Sequence, residues 1–270
     1  MSTVFDLKTK LNEMGLAPKK ALGQNFLVNQ HVIKKIITSV ETTKHTDLVE
    51  VGPGLGALTD LLLPHKPRLI EFDNELAEYW RGRGADVIEG DALKVDWNAL
   101  NLKPGSLLVS NTPYQISTSL VVERCLGPVT IEHMVLMFQK EVAQRLTATI
   151  STKNYGFLSV LAQLHFRMKK VVIAAPRDFF PAPKVASQVL WFERLPDQGL
   201  GPPFLRFVKQ AFAFRRKFLL KNLKSAVNAP TVAQLPAIAE ELGISVKARA
   251  EELEPQQFVE FFRRLKRDRD

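Results

Sequence analysis

The segment Asp47-Leu-Val-Glu-Val-Gly-Pro-Gly-Leu-Gly-Ala-Leu-Thr59 constrains this chain more than any other. A short apolar strand runs into a tight glycine turn and then into the start of a helix. Gly52, Gly54 and Gly56 let the backbone pass close to a ligand, where a Cβ would collide. The spacing is G-x-G-x-G. A dinucleotide fingerprint places its third glycine one residue later, where Ala57 stands. Taken alone, the turn is compatible with a purely structural bend or with a dinucleotide site.

The surroundings of the turn define a fold class. Short apolar runs at Leu48–Val51, Arg68–Phe72, Asp86–Glu89, Leu107–Ser110 and Met134–Phe138 alternate with helical patterns. That alternation is the signature of a mostly parallel α/β sheet. Val171–Ala174 and Val185–Phe192 follow one another across a proline-rich loop and could form an antiparallel pair at one sheet edge. A segment with three prolines and two glycines, residues 195–203, reads as a linker. Beyond it the pattern turns helical over Phe204–Val227, Val232–Leu242 and Pro255–Lys266. The expectation is a Rossmann-like domain over 1–195 and a small helical, basic domain over 204–270.

Acidic residues stand at the ends of the next two strands. Glu71 lies 19 residues past Gly52, where a carboxylate can accept both hydroxyls of a ribose. Asp91 follows the third strand and can accept from an adenine amino group. Open α/β sheets bind ligands at these carboxyl ends. The alternative is that Glu71, Asp73 and Asp91 are solvated loop acids.

The run Leu107-Leu-Val-Ser ends in Asn111-Thr112-Pro113-Tyr114. The exocyclic amine of adenine is a poor nucleophile, because its lone pair is delocalised into the ring. The Asn111 oxygen and the Thr112 carbonyl can each accept one amine hydrogen. That favours a pyramidal nitrogen whose lone pair points at a methyl donor. Pro113 stiffens the turn, and Tyr114 can stack on the base, worth about 1–3 kcal/mol. Without the acids and the glycine turn, the tetrapeptide could equally be a bend that closes a strand.

With these residues in place, the chain resembles the KsgA (RsmA) family of small-subunit rRNA adenine dimethyltransferases, class I S-adenosylmethionine-dependent enzymes. The matching segments are Lys19–Leu27, Val49–Thr59, Ile70–Asp73, Gly90–Ala92, Asn111–Ser117, Gln139–Val142, Tyr155–Val160, Phe179–Val185 and Phe214–Lys217. The resemblance implies that Asn25, Leu27, Gly52, Glu71, Asp91 and Asn111 contact S-adenosylmethionine, with Gln24 and Gly54 beside them. It places the N-terminal segment 1–30 over the cofactor site. It gives Asn111 and Tyr114 the target adenine, with Phe179 as an opposite wall. It implies that two adjacent adenosines in a hairpin near the 3′ end of 16S rRNA each receive two methyl groups during small-subunit assembly. It implies no metal. The sequence departs from the family pattern at Thr112, Gln115, Ala186 and Phe214, where leucine, asparagine, aspartate and a polar residue are usual.

Charge bears on the partner. The net charge is +9, and +6 of it falls between Pro203 and Asp270. Lys209, Arg215, Arg216, Lys217, Lys221 and Lys224 crowd one expected helix, interleaved with Phe204, Phe207, Phe212, Phe214 and Phe218. The phenylalanines read as core. The cations read as an RNA phosphate surface, with Arg215, Arg216, Lys217 and Lys221 in contact. An ordinary solvated face is the alternative, as it is for the basic stretch from Arg263 to Arg269. The expected partner is 16S rRNA within a small-subunit particle.

Other classes fit less well. The five histidines and Cys125 lack metal-ligand spacing. One cysteine allows no internal disulfide, which fits a reducing compartment. No apolar run approaches the roughly 20 residues of a membrane helix, and Met1–Leu16 reads as neither a secretory nor a transit signal. A cytoplasmic monomer is expected. The competing functions are a large-subunit adenine N6-methyltransferase, a noncatalytic rRNA-binding assembly factor and an NAD-dependent oxidoreductase. The glycine spacing disfavours the last.

Overall fold

The computed structural model describes residues 4–19, 22–224 and 229–267. The chain divides into two compact units, and sequence order does not follow the division. The first comprises Met1–Ala143 and Arg167–Arg194, the second Gln144–Phe166 and Leu195–Asp270. The expected boundary near residue 195 is one of three crossings. The segment Gln144–Phe166 belongs with the C-terminal residues, not with the sheet domain that its position in the chain suggests.

In the first unit, the short strand β1 (Phe26–Leu27) precedes the sheet strands β2 (Leu48–Val51), β3 (Arg68–Glu71), β4 (Asp86–Glu89), β5 (Ser106–Ser110) and β6 (Ile131–Gln139). β7 (Phe166–Ala174), β8 (Phe179–Phe180) and β9 (Ser187–Arg194) complete the set. Seven of them form one sheet in the order β4-β3-β2-β5-β6-β9-β7. β4 through β6 are parallel, and β9 runs antiparallel to β6. β7 and β9 are neighbours at the edge. β2 and β5 are buried along their whole length, as strands covered on both faces must be. From β2 the chain winds outward through β3 and β4, then returns to β5 on the other side of β2. The reversal leaves a crevice at the carboxyl ends of β2 and β5, where doubly wound sheets hold ligands.

Helices cover this sheet. α1 (Val4–Glu13) buries Leu7 and Leu11 in a cluster with Phe26, Leu55 and Leu76. α2 (Gln30–Glu41) begins at Asn29, whose side chain accepts from the His31 and Val32 amides at 2.9 and 3.2 Å. It buries Val32, Ile33, Ile36, Ile37 and Val40, one face of a 3.6-residue period. α3 (Thr59–Leu62) comes directly after the glycine turn, and α4 (Asn74–Gly82) is capped by Asp73. α5 (Tyr114–Leu126) starts directly after Pro113, so the Asn111–Tyr114 turn runs straight from β5 into a helix. α6 (Lys140–Leu146) then leads out of the first unit into the second.

The second unit is helical: α7 (Phe157–His165), α8 (Pro202–Ala211), α9 (Leu219–Leu223), α10 (Ala229–Glu241) and α11 (Pro255–Arg267). They close on a core that includes Tyr155, Phe204, Phe207, Leu223, Phe258 and Phe261. Pro202 occupies the first turn of α8, where its missing N–H costs nothing. The single helix expected over Phe204–Val227 is not formed, and its last residues lie outside the described ones. The buried Asn222 side chain donates to the carbonyls of Ala211 (2.7 Å) and Phe214 (3.1 Å). It thereby satisfies groups that a continuing helix would have bonded to itself. The chain turns over residues 212–218 instead. Residues 268–270 of the C-terminal basic stretch also lie outside the described set.

Candidate active site

The carboxyl ends of β2 and β5 are fastened to each other, because the Ser110 hydroxyl donates to the Val51 carbonyl at 2.7 Å. The two segments beyond these ends are therefore brought together: the glycine turn after β2 and Asn111–Tyr114 after β5. A Cβ on Gly52 would stand 3.9 Å from Pro113 Cδ. Gly54 and Gly56 have φ of +52° and +92°. A Cβ on Gly56 would come within 2.9 Å of Trp80 and Asp60. Only glycine fits there. The Trp80 indole donates to the Gly54 carbonyl at 2.9 Å and holds the turn.

These segments enclose a cavity of about 330 Å³. Gln24, Asn25 and Leu27 line it from the N-terminal side, Gly52 and Gly54 from the turn, and Glu71 and Asp91 from β3 and the end of β4. Asn111, Thr112, Pro113 and Tyr114 line it from β5. Leu7 of α1 is also on the wall. Lys10 anchors that helix by donating to the Leu55 carbonyl at 2.8 Å.

Internal hydrogen bonds fix several of these groups. Glu71 accepts from the amides of Asp73 (2.9 Å) and Gly54 (3.2 Å). Burial pushes its carboxyl up, and these amide bonds oppose the shift. Asp91 accepts from the Leu93 amide at 3.0 Å. Asn25 donates to the Gly23 carbonyl (2.9 Å), and Asn111 donates through Nδ2 to the Asn25 carbonyl (3.2 Å). Gln24 donates to Asp73 (3.0 Å), which also pairs with Lys19 (2.8 Å). Asp73 is thus a cap and a clamp for the N-terminal segment, outside the cavity wall. The Tyr114 hydroxyl shares a 2.6 Å hydrogen bond with Ser187, and burial raises the pKa of the phenol. The Thr112 hydroxyl is buried and has no hydrogen-bond partner among the described residues.

The lining is electrostatically one-sided. Among the described residues it holds three acidic side chains, Glu50, Glu71 and Asp91, and no lysine, arginine or histidine. A glycine cradle, an acid at each successive strand end and a lining without a cation suit a cationic nucleoside. S-adenosylmethionine, with its sulfonium and ammonium groups, is of that kind. Among the described residues, no group of three or more His, Cys, Asp or Glu side chains could hold a metal ion. Cys125 is buried, and burial pushes its thiol up to about 12, which makes it inert.

The ribosomal RNA adenine dimethylase family matches residues 15–267. The chain is 51% identical over 255 residues to ribosomal RNA small subunit methyltransferase A of Bdellovibrio bacteriovorus, covering 93% of each chain. It belongs to the ribosomal RNA adenine dimethylase family. Enzymes of this dimethylase family are S-adenosylmethionine-dependent rRNA adenine methyltransferases. The crystal structure of a dimethyladenosine transferase from Plasmodium falciparum superposes with a TM-score of 0.77 at 25% identity, over 90% of this chain and 98% of that one. The 23S rRNA methyltransferase ErmE superposes with a TM-score of 0.63 at 26% identity, over 90% of this chain and all of the other.

Two residues of this dimethylase that sequence reasoning assigned elsewhere are placed differently. Phe179 is 3% exposed, in a core cluster with Leu27, Val32 and Ile33, and is not on the cavity wall. Its backbone pairs with Leu27 across β1 and β8, which turns the ring into the core. Arg215 is in the turn after α8, not on a helix. Its guanidinium pairs with Glu251 at 2.5 Å and donates to the carbonyls of Lys153 (2.6 Å) and Thr152 (2.8 Å). It fastens the second unit together. Arg216 and Lys217 are in the same turn, and Lys221 is exposed on α9.

Among the cavity residues of the dimethylase that were not anticipated are Phe72 and Glu50. Phe72, 61% exposed, lies on the wall just after Glu71. Glu50 sits in the middle of β2 and is 2% exposed. A charged residue inside an otherwise apolar run was the signal available for it.

Proposed function

We propose that this dimethylase adds two methyl groups to the N6 amine of each of two adjacent adenosines in a 3′-terminal hairpin of 16S rRNA, on a small-subunit particle during assembly. The observation that carries the reading is the sharing of one cavity by the glycine turn and the Asn111–Tyr114 turn, with a Cβ on Gly52 3.9 Å from Pro113. S-adenosylmethionine, when bound, supplies an electrophilic methyl group on its sulfonium.

The chain's own residues do the rest. Backbone at Gly52 and Gly54 admits the nucleoside closely. Glu71 accepts from ribose hydroxyls, and Asp91 accepts from the cofactor's adenine. Asn25 and Leu27, backed by Gln24, close the site from the N-terminal side. Asn111 has its amide nitrogen turned to the Asn25 carbonyl, so its oxygen is the end left to accept from the target amine. The Thr112 carbonyl accepts the second hydrogen, and Pro113 fixes the turn. Tyr114, anchored through Ser187, stacks on the base. No strong general base is required, since the amine proton becomes acidic once the nitrogen is alkylated. Holding nucleophile and methyl in one cleft converts the encounter into a unimolecular step. Arg216, Lys217 and Lys221 contact RNA phosphates.

Mass spectrometry of rRNA after incubation of unmethylated small-subunit particles with protein and S-adenosylmethionine tests this. Two dimethyladenosines near the 3′ end of 16S rRNA are expected. Methylation of large-subunit particles instead would overturn the assignment in favour of the ErmE-like reading, which the 26% identity to that enzyme supports.

A further inference from the structure

Glu50 is unlike the other acids of the cavity. Glu71 is held by two backbone amides and Asp91 by one. Glu50 is 2% exposed, lines the cavity, and its Oε2 has no hydrogen-bond partner among the described residues. The groups that act on it are Thr59 and Asp60 of α3 and Glu71 of β3. None is a cation. Asp60 is itself turned to Arg83 at 2.7 Å and Lys10 at 3.8 Å. Of these groups only the Thr59 hydroxyl, which also reaches the Pro53 carbonyl at 3.5 Å, favours the ionised form, and burial outweighs it.

A carboxylate this buried and without a counter-charge does not remain ionised. We propose that Glu50 is a charge-matching group: neutral in the empty cavity, and ionised, with its proton released to solvent, when the sulfonium donor occupies it. This rests on the reading of the cavity as the S-adenosylmethionine site. The spent product, S-adenosylhomocysteine, is a thioether with one positive charge fewer, so it draws less ionisation from Glu50. The group then takes its proton back when product replaces donor. Burial holds Glu50 near 8 in the empty protein, so about nine-tenths of it is protonated at pH 7. Donor binding that releases a proton strengthens as pH rises, by about tenfold per unit between the pKa of Glu50 in the donor complex and its higher value in the empty protein. Product binding gains less, and the preference for donor over product therefore widens with pH.

Isothermal titration of the full chain at pH 7, in two buffers of different ionisation enthalpy, counts the protons. The expected result is release of nearly one proton on binding S-adenosylmethionine and clearly less on binding S-adenosylhomocysteine. Glu50→Gln, close in shape and unable to ionise, is expected to lose the difference between the two ligands. It should also lose the tenfold rise in donor affinity between pH 6 and pH 7. Equal proton release with donor and product in the wild-type protein, a comparison that needs no variant, overturns the proposal. So does an unchanged difference in Glu50→Gln. If neither nucleoside binds, the reading of the cavity fails and this inference fails with it, whereas binding without proton release refutes the role of Glu50 alone.

Discussion

Asn111 has two chemically opposite ends, and the hydrogen bond from its Nδ2 to the Asn25 carbonyl decides which end is available. Replacing Asn111 with alanine removes the acceptor while leaving the RNA-contacting side chains of the second unit intact. Methyl transfer is expected to fall roughly 10²–10³-fold, the usual cost of one preorganised hydrogen-bonding group. RNA affinity, read by filter binding, should stay within a factor of two or so of wild type. Near-normal turnover would remove the proposed role of the carboxamide. Glu50 makes a different prediction, about stability. Its carboxyl stands near 8 in the folded chain against 4.5 for the free group. Below 4.5 both states are protonated and the group has no effect. Between the two values the unfolded chain gives up a proton that the folded chain keeps, so stability falls as pH rises, levelling off above 8. Glu50→Gln does not titrate. Its thermal stability relative to wild type is expected to increase from pH 5 to pH 8 by calorimetry, and a constant difference would refute the buried neutral acid. Both residues stand in the sequence for anyone to read. Asn111 was legible because a polar residue followed a strand at the ligand-binding end. The state of Glu50 was not, because it depends on the absence of any cation around it.

Elements were legible where local composition controls them. β2 and β5 are unbroken apolar runs but for Glu50 and the terminal serines, and they appear where expected. The break after α8 was invisible, since residues 204–224 contain neither glycine nor proline. It is made by Asn222, which reaches back to the carbonyls of Ala211 and Phe214. Asn222→Ala leaves those acceptors without their partner, at a cost of about 1–3 kcal/mol. A lower urea midpoint for unfolding of the second unit is expected, and an unchanged midpoint would show that the turn is held by something else. The same turn separates two arginines that look alike in sequence. Arg215→Ala removes its bonds to Thr152, Lys153 and Glu251 and is expected to lower the melting temperature. The double replacement of Arg216 and Lys217 by alanine should leave the melting temperature alone. It should reduce the slope of log RNA affinity against log salt by roughly one for each phosphate that is no longer neutralised. If Arg215→Ala changed only the salt slope, the two roles would have to be exchanged.

At the scale of the whole molecule, the +9 charge and its concentration after Pro203 pointed to a polyanionic partner. RNA affinity should accordingly fall steeply between about 50 and 200 mM salt, and a flat response would exclude the basic turn as a phosphate surface. The strand–turn–helix unit, the acids at successive strand ends and the Asn111–Tyr114 turn were determined by the sequence itself. Backbone freedom at glycine, turn chemistry and the local spacing of apolar and polar residues act over a few residues at a time. Tertiary structure alone decided that Gln144–Phe166 joins the second unit. It alone turned Phe179 into the core, committed Arg215 to internal bonds and left Glu50 without a counter-charge. Each of these outcomes depends on groups far away in the chain, and no local pattern encodes where such groups will meet.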